Sequence, residues 1–291
     1  MSTLKDKVIF VTGGSRGIGL AIAARAARDG ARIAIAAKTV EAHRYLPGTI
    51  YTAAKEIEDL GGQSLPLVVD VRSEESVAAA IQKTVDTFGG IDICINNASA
   101  INLSGTTAVT MKQFDLMNQV NLRGTFLTSK LCIPHLLNSK NPHVLALAPP
   151  LDFRPEWFGP HAAYSMAKFG MSLTMFGMAE EFREAGIAFN ALWPRTPIAT
   201  AAVEFAVQGG KELLGKCRTP QIMADAAYAI LTQPSRSFTG RFCLDDSVLH
   251  ELEGRTDFDG YRVDPREQLA TDLFVAKGAD MPPGVAETML K

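Results

Sequence analysis

Seven short apolar runs punctuate the chain: KVIFVT, ARIAIAA, SLPLVVD, IDICIN, HVLALA, IAFNALW and GRFCLD. Their apolar residues are consecutive rather than alternating, which predicts strands covered on both faces, as in a parallel sheet. Between the runs the period changes to that of a helix. In residues 73 to 88, Val77, Ile81, Val85 and Phe88 fall on one face, Ser73 is a natural N-cap, and Gly89-Gly90 ends the helix. Thr110 and Gln113 have the spacing of a capping box opening another helix. A further helix is predicted from about Ala162 to Ala185. This strand–helix alternation predicts an α/β fold: a doubly wound parallel sheet of about seven strands, Rossmann-type, flanked by helices.

Two segments break the rhythm. Residues 39 to 49 lengthen the turn after the second strand, and the charged residues 245 to 291 follow the last one. The expected organisation is one α/β domain over 1–245 and a C-terminal extension of the same domain over 246–291, part of which covers a neighbouring subunit or a cleft. Composition changes this picture little. Hydrophobic residues make up 47% of the 291 and charged residues 21%, as in a folded globular chain. A net charge of −2 without basic blocks argues against nucleic acid or an anionic membrane as the main partner. No apolar run approaches the length of a membrane span, and MSTLKDKVIFVTGG enters a strand too soon for a signal peptide, so a cytoplasmic protein is expected. Cys94, Cys132, Cys217 and Cys243 have no metal-ligand spacing, and those in ICIN and FCLD read as buried thiols.

The first chemical signal is VTGGSRGIGLAIA, residues 11 to 23, between the first strand and a helix. Gly13, Gly17 and Gly19 permit a tight turn and close backbone approach to a pyrophosphate at a helix N-terminus. Gly13, Ser15, Arg16, Gly17, Ile18 and Gly19 are therefore the candidate cradle, although a glycine-rich turn alone also serves simple strand–helix packing. The second strand ends Ala36-Ala37-Lys38-Thr39, with no carboxylate to hold ribose hydroxyls. Lys38 and Arg16 instead suit the 2′-phosphate of NADP; the plainer alternative is two solvated surface cations. Asp70, after the third strand, either accepts from an adenine amino group or is a carboxylate at a helix N-terminus. Asn97 and Ala98 follow the fourth strand, where ligands bind in such sheets.

The second signal is Tyr164 with Lys168, four residues apart and so on one helix face. A nearby ammonium lowers the pKa of a phenol from ~10 and makes it a usable proton donor to a carbonyl receiving hydride. Such a pair usually has a hydroxyl beside it, yet no Ser or Thr occurs from Val144 to Ala163. Trp157, His161 and backbone N–H groups are the remaining donors, though a lone loop histidine reads more simply as a polar surface residue. Met166, Met171, Met175 and Met178 on the same helix read as core or subunit packing.

Taken in order, TGGSRGIG, Asp70, NNAS, NLRGTF and YSMAK resemble the short-chain dehydrogenase/reductase superfamily over residues 5 to about 245. IAAKT, GTIYTAAKEIEDLGG, WFGPHAAYSMAKFGMSL and NALWP are similar to the branch named after hydroxysteroid dehydrogenase-like protein 2. The resemblance implies that Tyr164 is the general acid/base and that Lys168 also holds the nicotinamide ribose. It implies that Asn121 supports a water relay to the lysine, that Lys38 marks NADP, and that a homo-oligomer (dimer or tetramer) forms. It also puts the usual catalytic Ser at Ala148, within Leu147-Ala148-Pro149-Pro150, which implies impaired carbonyl chemistry. WPRTPIAT replaces the family's Pro-Gly turn, with Arg195 for Gly and with Ile198 and Thr200 placed to hold the carboxamide. AAVEFAVQGGKELLG would wall a site for a lipophilic small molecule, or pack as an ordinary amphipathic helix. The implied activity is hydride transfer between NADP and a lipophilic ketone, aldehyde or alcohol; the alternative is an impaired dinucleotide- or lipid-binding protein on the same fold.

Overall fold

A computed structural model describes residues 3–42, 48–206, 209–276, 278–279 and 281–289. Its strands are β1 (Val8–Thr12), β2 (Arg32–Ala37), β3 (Gln63–Val68), β4 (Ile93–Asn96), β5 (His143–Ala146), β6 (Ala188–Trp193) and β7 (Phe242–Leu244). They form one parallel sheet in the order β3-β2-β1-β4-β5-β6-β7, so each of the seven apolar runs supplies a strand. β1, β4, β5 and β6 are buried at every position, which is why their sequences do not alternate. β3 differs: Val68 is exposed and Pro66 lacks an amide hydrogen, both tolerable because β3 is an edge strand.

The intervening helices are α1 (Gly17–Ala27), α2 (Ile50–Asp59), α3 (Glu74–Phe88), α4 (Met111–Met117), α5 (Gly124–Leu136) and α6 (Ala162–Glu181). After β6 come α7 (Ala201–Ala206), α8 (Gly210–Leu213) and α9 (Gln221–Leu231), and after β7 come α10 (Asp245–Glu253) and α11 (Val285–Thr288). Ser73 caps α3 by accepting from the Ser76 amide, and Gly89 ends it in the left-handed region at φ 89°. Thr110 and Gln113 form the predicted capping box on α4. A second box, between Thr49 and Thr52, starts α2. It marks where the lengthened turn of residues 39 to 49 ends, although residues 43–47 of that turn lie outside the described residues.

α6 stops at Glu181, short of the predicted Ala185. Phe182 leaves the helical region, and Gly186 at φ 76° turns the chain toward β6. Met171, Met175 and Met178 are buried in the core, whereas Met166 is exposed beside Leu173 and Phe176 on the outer face of α6. All four cysteines are buried free thiols. Among the described residues no helix is long and apolar enough to cross a membrane.

The sheet order reverses between β1 and β4, which opens a crevice at their C-terminal ends. The C-terminal residues fold back toward it on the same chain. α10 packs on α9, and beyond it the Ala270 amide donates to the Lys216 carbonyl at 3.0 Å and the Asp272 amide to the Arg195 carbonyl at 2.9 Å.

Candidate active site

The crevice holds an open cleft of about 1310 Å³, lined by Gly13, Ser15, Arg16, Gly17, Ile18, Lys38, Asp70, Asn97, Ala98 and Thr200. Two glycines of the β1–α1 turn are explained by packing within the protein. A Cβ on Gly19 would lie 2.4 Å from Asn97 Nδ2, and one on Gly13 would lie 2.9 Å from Ala98 Cα, so the β1–α1 turn seats directly on the loop after β4. Asn97 reinforces the contact by donating from Nδ2 to the carbonyls of Thr12 and Gly13 at 3.1 and 3.0 Å. Gly17, at φ 57°, takes the left-handed conformation that starts α1, and Thr200 packs beside it.

At the β2 end the cleft is cationic. Arg16 reaches across to the Gly48 carbonyl at 2.9 Å, and Lys38 is more than half exposed. Lys38 donates to Asp70 at 3.3 Å, while Arg72 grips the same carboxylate at 2.6 Å. The Arg72 hydrogen bonds hold Asp70 well below the ordinary carboxylate range. Asp70 thus stays ionised and tethers Lys38 at the rim, a role the sequence left undecided. The surroundings fit an adenosine 2′-phosphate: two cations, no carboxylate ending β2, and backbone free of Cβ at the turn.

Deeper in, a second cavity of about 310 Å³ is lined by Tyr164, Lys168, Leu147, Trp193, Ile198 and Asp272. Ile18, Asn97, Ser99, Thr200 and Ala202 line both spaces, so the cleft leads into the cavity. α6 carries Tyr164 and Lys168, and it grips the strip after β5 at two points. Lys168 Nζ donates to the Leu147 carbonyl at 2.7 Å, and Ser172 Oγ to the Pro149 carbonyl at 2.7 Å. Ala148 lies between those anchors, 1% exposed, and carries a methyl in place of a hydroxyl. The ammonium also lies 4.9 Å from the Trp193 ring centre, a favourable cation–π placement.

The expected lowering of the phenol pKa is not found. Burial pushes Tyr164 up, and burial brings Lys168 down to about 7. The lysine is committed to the Leu147 carbonyl, and burial first, then the Asp272 carboxyl, raise the phenol. Asn121 lies in one turn of π-helix, Asn118–Arg123, between α4 and α5. Its side chain is fully engaged with Ala100, accepting from the amide at 2.7 Å and donating to the carbonyl at 3.0 Å. A relay to Lys168 would therefore use its backbone. His161 is not a surface residue: it is 7% exposed, occupies the N-cap position of α6 beside Tyr164 without a side-chain capping bond, and burial lowers its pKa.

The C-terminal segment supplies what the sequence did not reveal. Phe274 is 1% exposed at φ 65°, a strained conformation for a bulky side chain, and packs against Tyr164, Phe169 and Trp193. Arg195 is wholly buried and donates from Nε to Asp246 at 2.7 and 2.8 Å, while Arg218 Nη1 reaches Asp246 at 2.8 Å. This ion cluster anchors the segment running through Ile198 and Thr200. Ile198 is buried on a bridge to Arg218, and the Thr200 hydroxyl accepts from the Val203 amide at 3.4 Å. No local pattern in TDLF or LDDS announces these partners, because they meet only through the fold.

The short chain dehydrogenase family matches residues 7–208. Hydroxysteroid dehydrogenase-like protein 2 of Danio rerio is 59% identical over 267 residues, covering 92% of this chain and 63% of that protein. Its Homo sapiens counterpart is 53% identical over the same share of both. The chain thus spans just under two thirds of the length of these relatives. A crystal structure of a short chain dehydrogenase from Mycobacterium thermoresistibile superposes with a TM-score of 0.90 at 53% identity, covering 97% of this chain and 99% of that one.

Proposed function

Because the chain belongs to the short-chain dehydrogenase family, we propose that it is an NADP-dependent oxidoreductase acting on a lipophilic ketone or aldehyde, or on the matching alcohol. One observation carries this reading: a cleft suited to a dinucleotide leads into a cavity holding a Tyr–Lys pair. Gly13, Ser15, Gly17 and Ile18 would cradle the phosphates, Arg16 and Lys38 the 2′-phosphate, and Ile198 and Thr200 the carboxamide. When bound, the nicotinamide supplies or accepts the hydride. Tyr164 Oη carries the proton exchanged with the substrate oxygen. Lys168 replenishes it and holds the ribose, and the Asn121 backbone supports the path to solvent. Ile101, Leu103, Trp193 and Leu213 on the cavity wall favour an apolar substrate body. The exposed Met166, Leu173 and Phe176 support a homo-oligomer built on α6, and a cytoplasmic setting suits the reduced thiols.

Ala148 favours a second reading, a dinucleotide- or lipid-binding protein with little turnover. Losing one donor to a developing oxyanion lowers turnover by ~10² to 10³. NADPH consumption should be followed against ketosteroids, ketoacyl thioesters and medium-chain aldehydes, with Tyr164→Phe as the blank and Ala148→Ser in parallel. Turnover above the blank supports the enzyme. NADPH binding with silence from both the parent and Ala148→Ser would leave the binding protein.

A further inference from the structure

The reaction proposed above calls for a second donor to the substrate oxygen, and Ala148 offers none. The cavity wall provides a candidate from outside the region matched by the family. Asp272 faces the space that Tyr164 and Lys168 line. The corner bearing it is held from four directions. Its amide donates to the Arg195 carbonyl at 2.9 Å, and the Leu273 amide donates to Asp272 Oδ1 at 2.7 Å. Trp193 Nε1 donates to the Leu273 carbonyl at 2.7 Å, and Phe274, at φ 65°, is locked between Tyr164, Phe169 and Trp193. A strained backbone persists only where its surroundings over-determine it, and such corners concentrate at functional sites.

Resting on the oxidoreductase reading, we propose that Asp272 is a further catalytic residue, a protonated carboxyl that donates a hydrogen bond to the substrate oxygen beside Tyr164. The carbonyl carbon gains hydride, the oxygen takes the Tyr164 proton, and Asp272 keeps its own proton throughout. Its surroundings favour the acid form. Burial pushes its carboxyl up to about 7, Asp245 adds to the rise, and the Leu273 amide and Lys168 oppose it. The other ionisable groups acting on it are Tyr164 and Cys217, both raised by burial and so neutral near pH 7. Three hydroxyls on the same wall are less well placed: Thr200, like Ser99, lines both the cavity and the cleft and is assigned above to the carboxamide. Ser99 lies where the cavity meets the cleft, on the cofactor side, and Thr271 is exposed at the rim.

The test compares Asp272→Ala, Asp272→Asn, Ser99→Ala and the double variant Asp272→Ala/Ala148→Ser, using a carbonyl that the parent reduces. Asp272→Ala should lose ~10²-fold in kcat/KM at pH 6 while binding NADPH as tightly as the parent, and Ala148→Ser should restore most of the loss. Asp272→Asn, which keeps a donor, should stay within about tenfold of the parent at pH 6 and at pH 8, whereas Lys168, also brought down to about 7, should leave it a residual decline at higher pH. Difference infrared spectra should show a protonated carboxyl at pH 6 that Asp272→Asn lacks. An Asp272→Ala variant within twofold of the parent, a large loss confined to Ser99→Ala, or an Asp272 already ionised at pH 6 would each overturn the proposal. Parent turnover with an indifferent Asp272 removes this inference alone. If the parent never exceeds Tyr164→Phe, the oxidoreductase reading fails and Asp272 falls with it.

Discussion

Asp246→Asn should destabilise the protein by about 3 kcal/mol, the lower end of the range for removing one partner from a buried ion pair. The carboxylate accepts from Arg195 Nε at 2.7 and 2.8 Å and from Arg218 Nη1 at 2.8 Å, and none of the three side chains is more than 1% exposed. Asparagine preserves shape and one acceptor but removes the charge that two buried guanidinium groups face. Asp245 limits the damage. Burial, and next the Asp246 charge, push its carboxyl up to about 6, so losing that charge lets Asp245 ionise more readily and compensate in part. Unfolding entropy near ~2.1 cal/mol/K per residue gives about 0.6 kcal/mol/K for a chain of this size, hence a fall in Tm of about 5 °C. Urea unfolding followed by circular dichroism at pH 7.5, with calorimetry beside it, measures both quantities. Arg195→Met/Arg218→Met/Asp246→Leu should recover most of the loss, because an apolar cluster carries no desolvation cost. A loss under about 1 kcal/mol for Asp246→Asn, or strict additivity with Arg195→Ala, would refute the reasoning.

Three further outcomes are expected. Lys38→Glu should weaken NADPH by roughly 10- to 100-fold and favour NADH, since one charge-assisted contact is worth ~1.5–3 kcal/mol; equal affinities by fluorescence titration would exclude Lys38 from the 2′-phosphate. Gly19→Ala should cost about 1–3 kcal/mol by displacing Asn97, read as a lower urea midpoint, and should be nearly neutral if Asn97 is free to move. His143 is buried, and its pKa falls from 6.5 to about 4, largely through desolvation. The unfolded chain therefore takes up a proton as pH drops through 6.5 and the folded chain only near 4, so stability declines across that window by up to ~3 kcal/mol. His143→Gln should flatten that decline, and an unchanged pH profile would contradict it.

Much of the molecule was legible in the chain because the interactions concerned are local or periodic. Continuous apolar runs specify strands buried on both faces, and Ser73, Gly89 and the Thr110–Gln113 pair cap their helices through bonds within a few residues. The placement of the glycine turn and Lys38 on the cleft, and of Tyr164 and Lys168 on the cavity, is readable for the same reason: short spacings set it. What the chain alone left open depends on desolvation and on partners distant in sequence. Whether Tyr164 is lowered by its lysine or raised by burial depends on the aromatic wall that Phe274 closes. Arg195 looks like a misplaced cation until Asp246 stands beside it, and Asp272 looks like one more tail carboxylate until the fold sets it on the cavity wall. Sequence patterning decides which segments become strands and helices. Only the packed tertiary structure sets the local dielectric and gathers the long-range charges, and those two quantities govern the protonation of the side chains around this cavity.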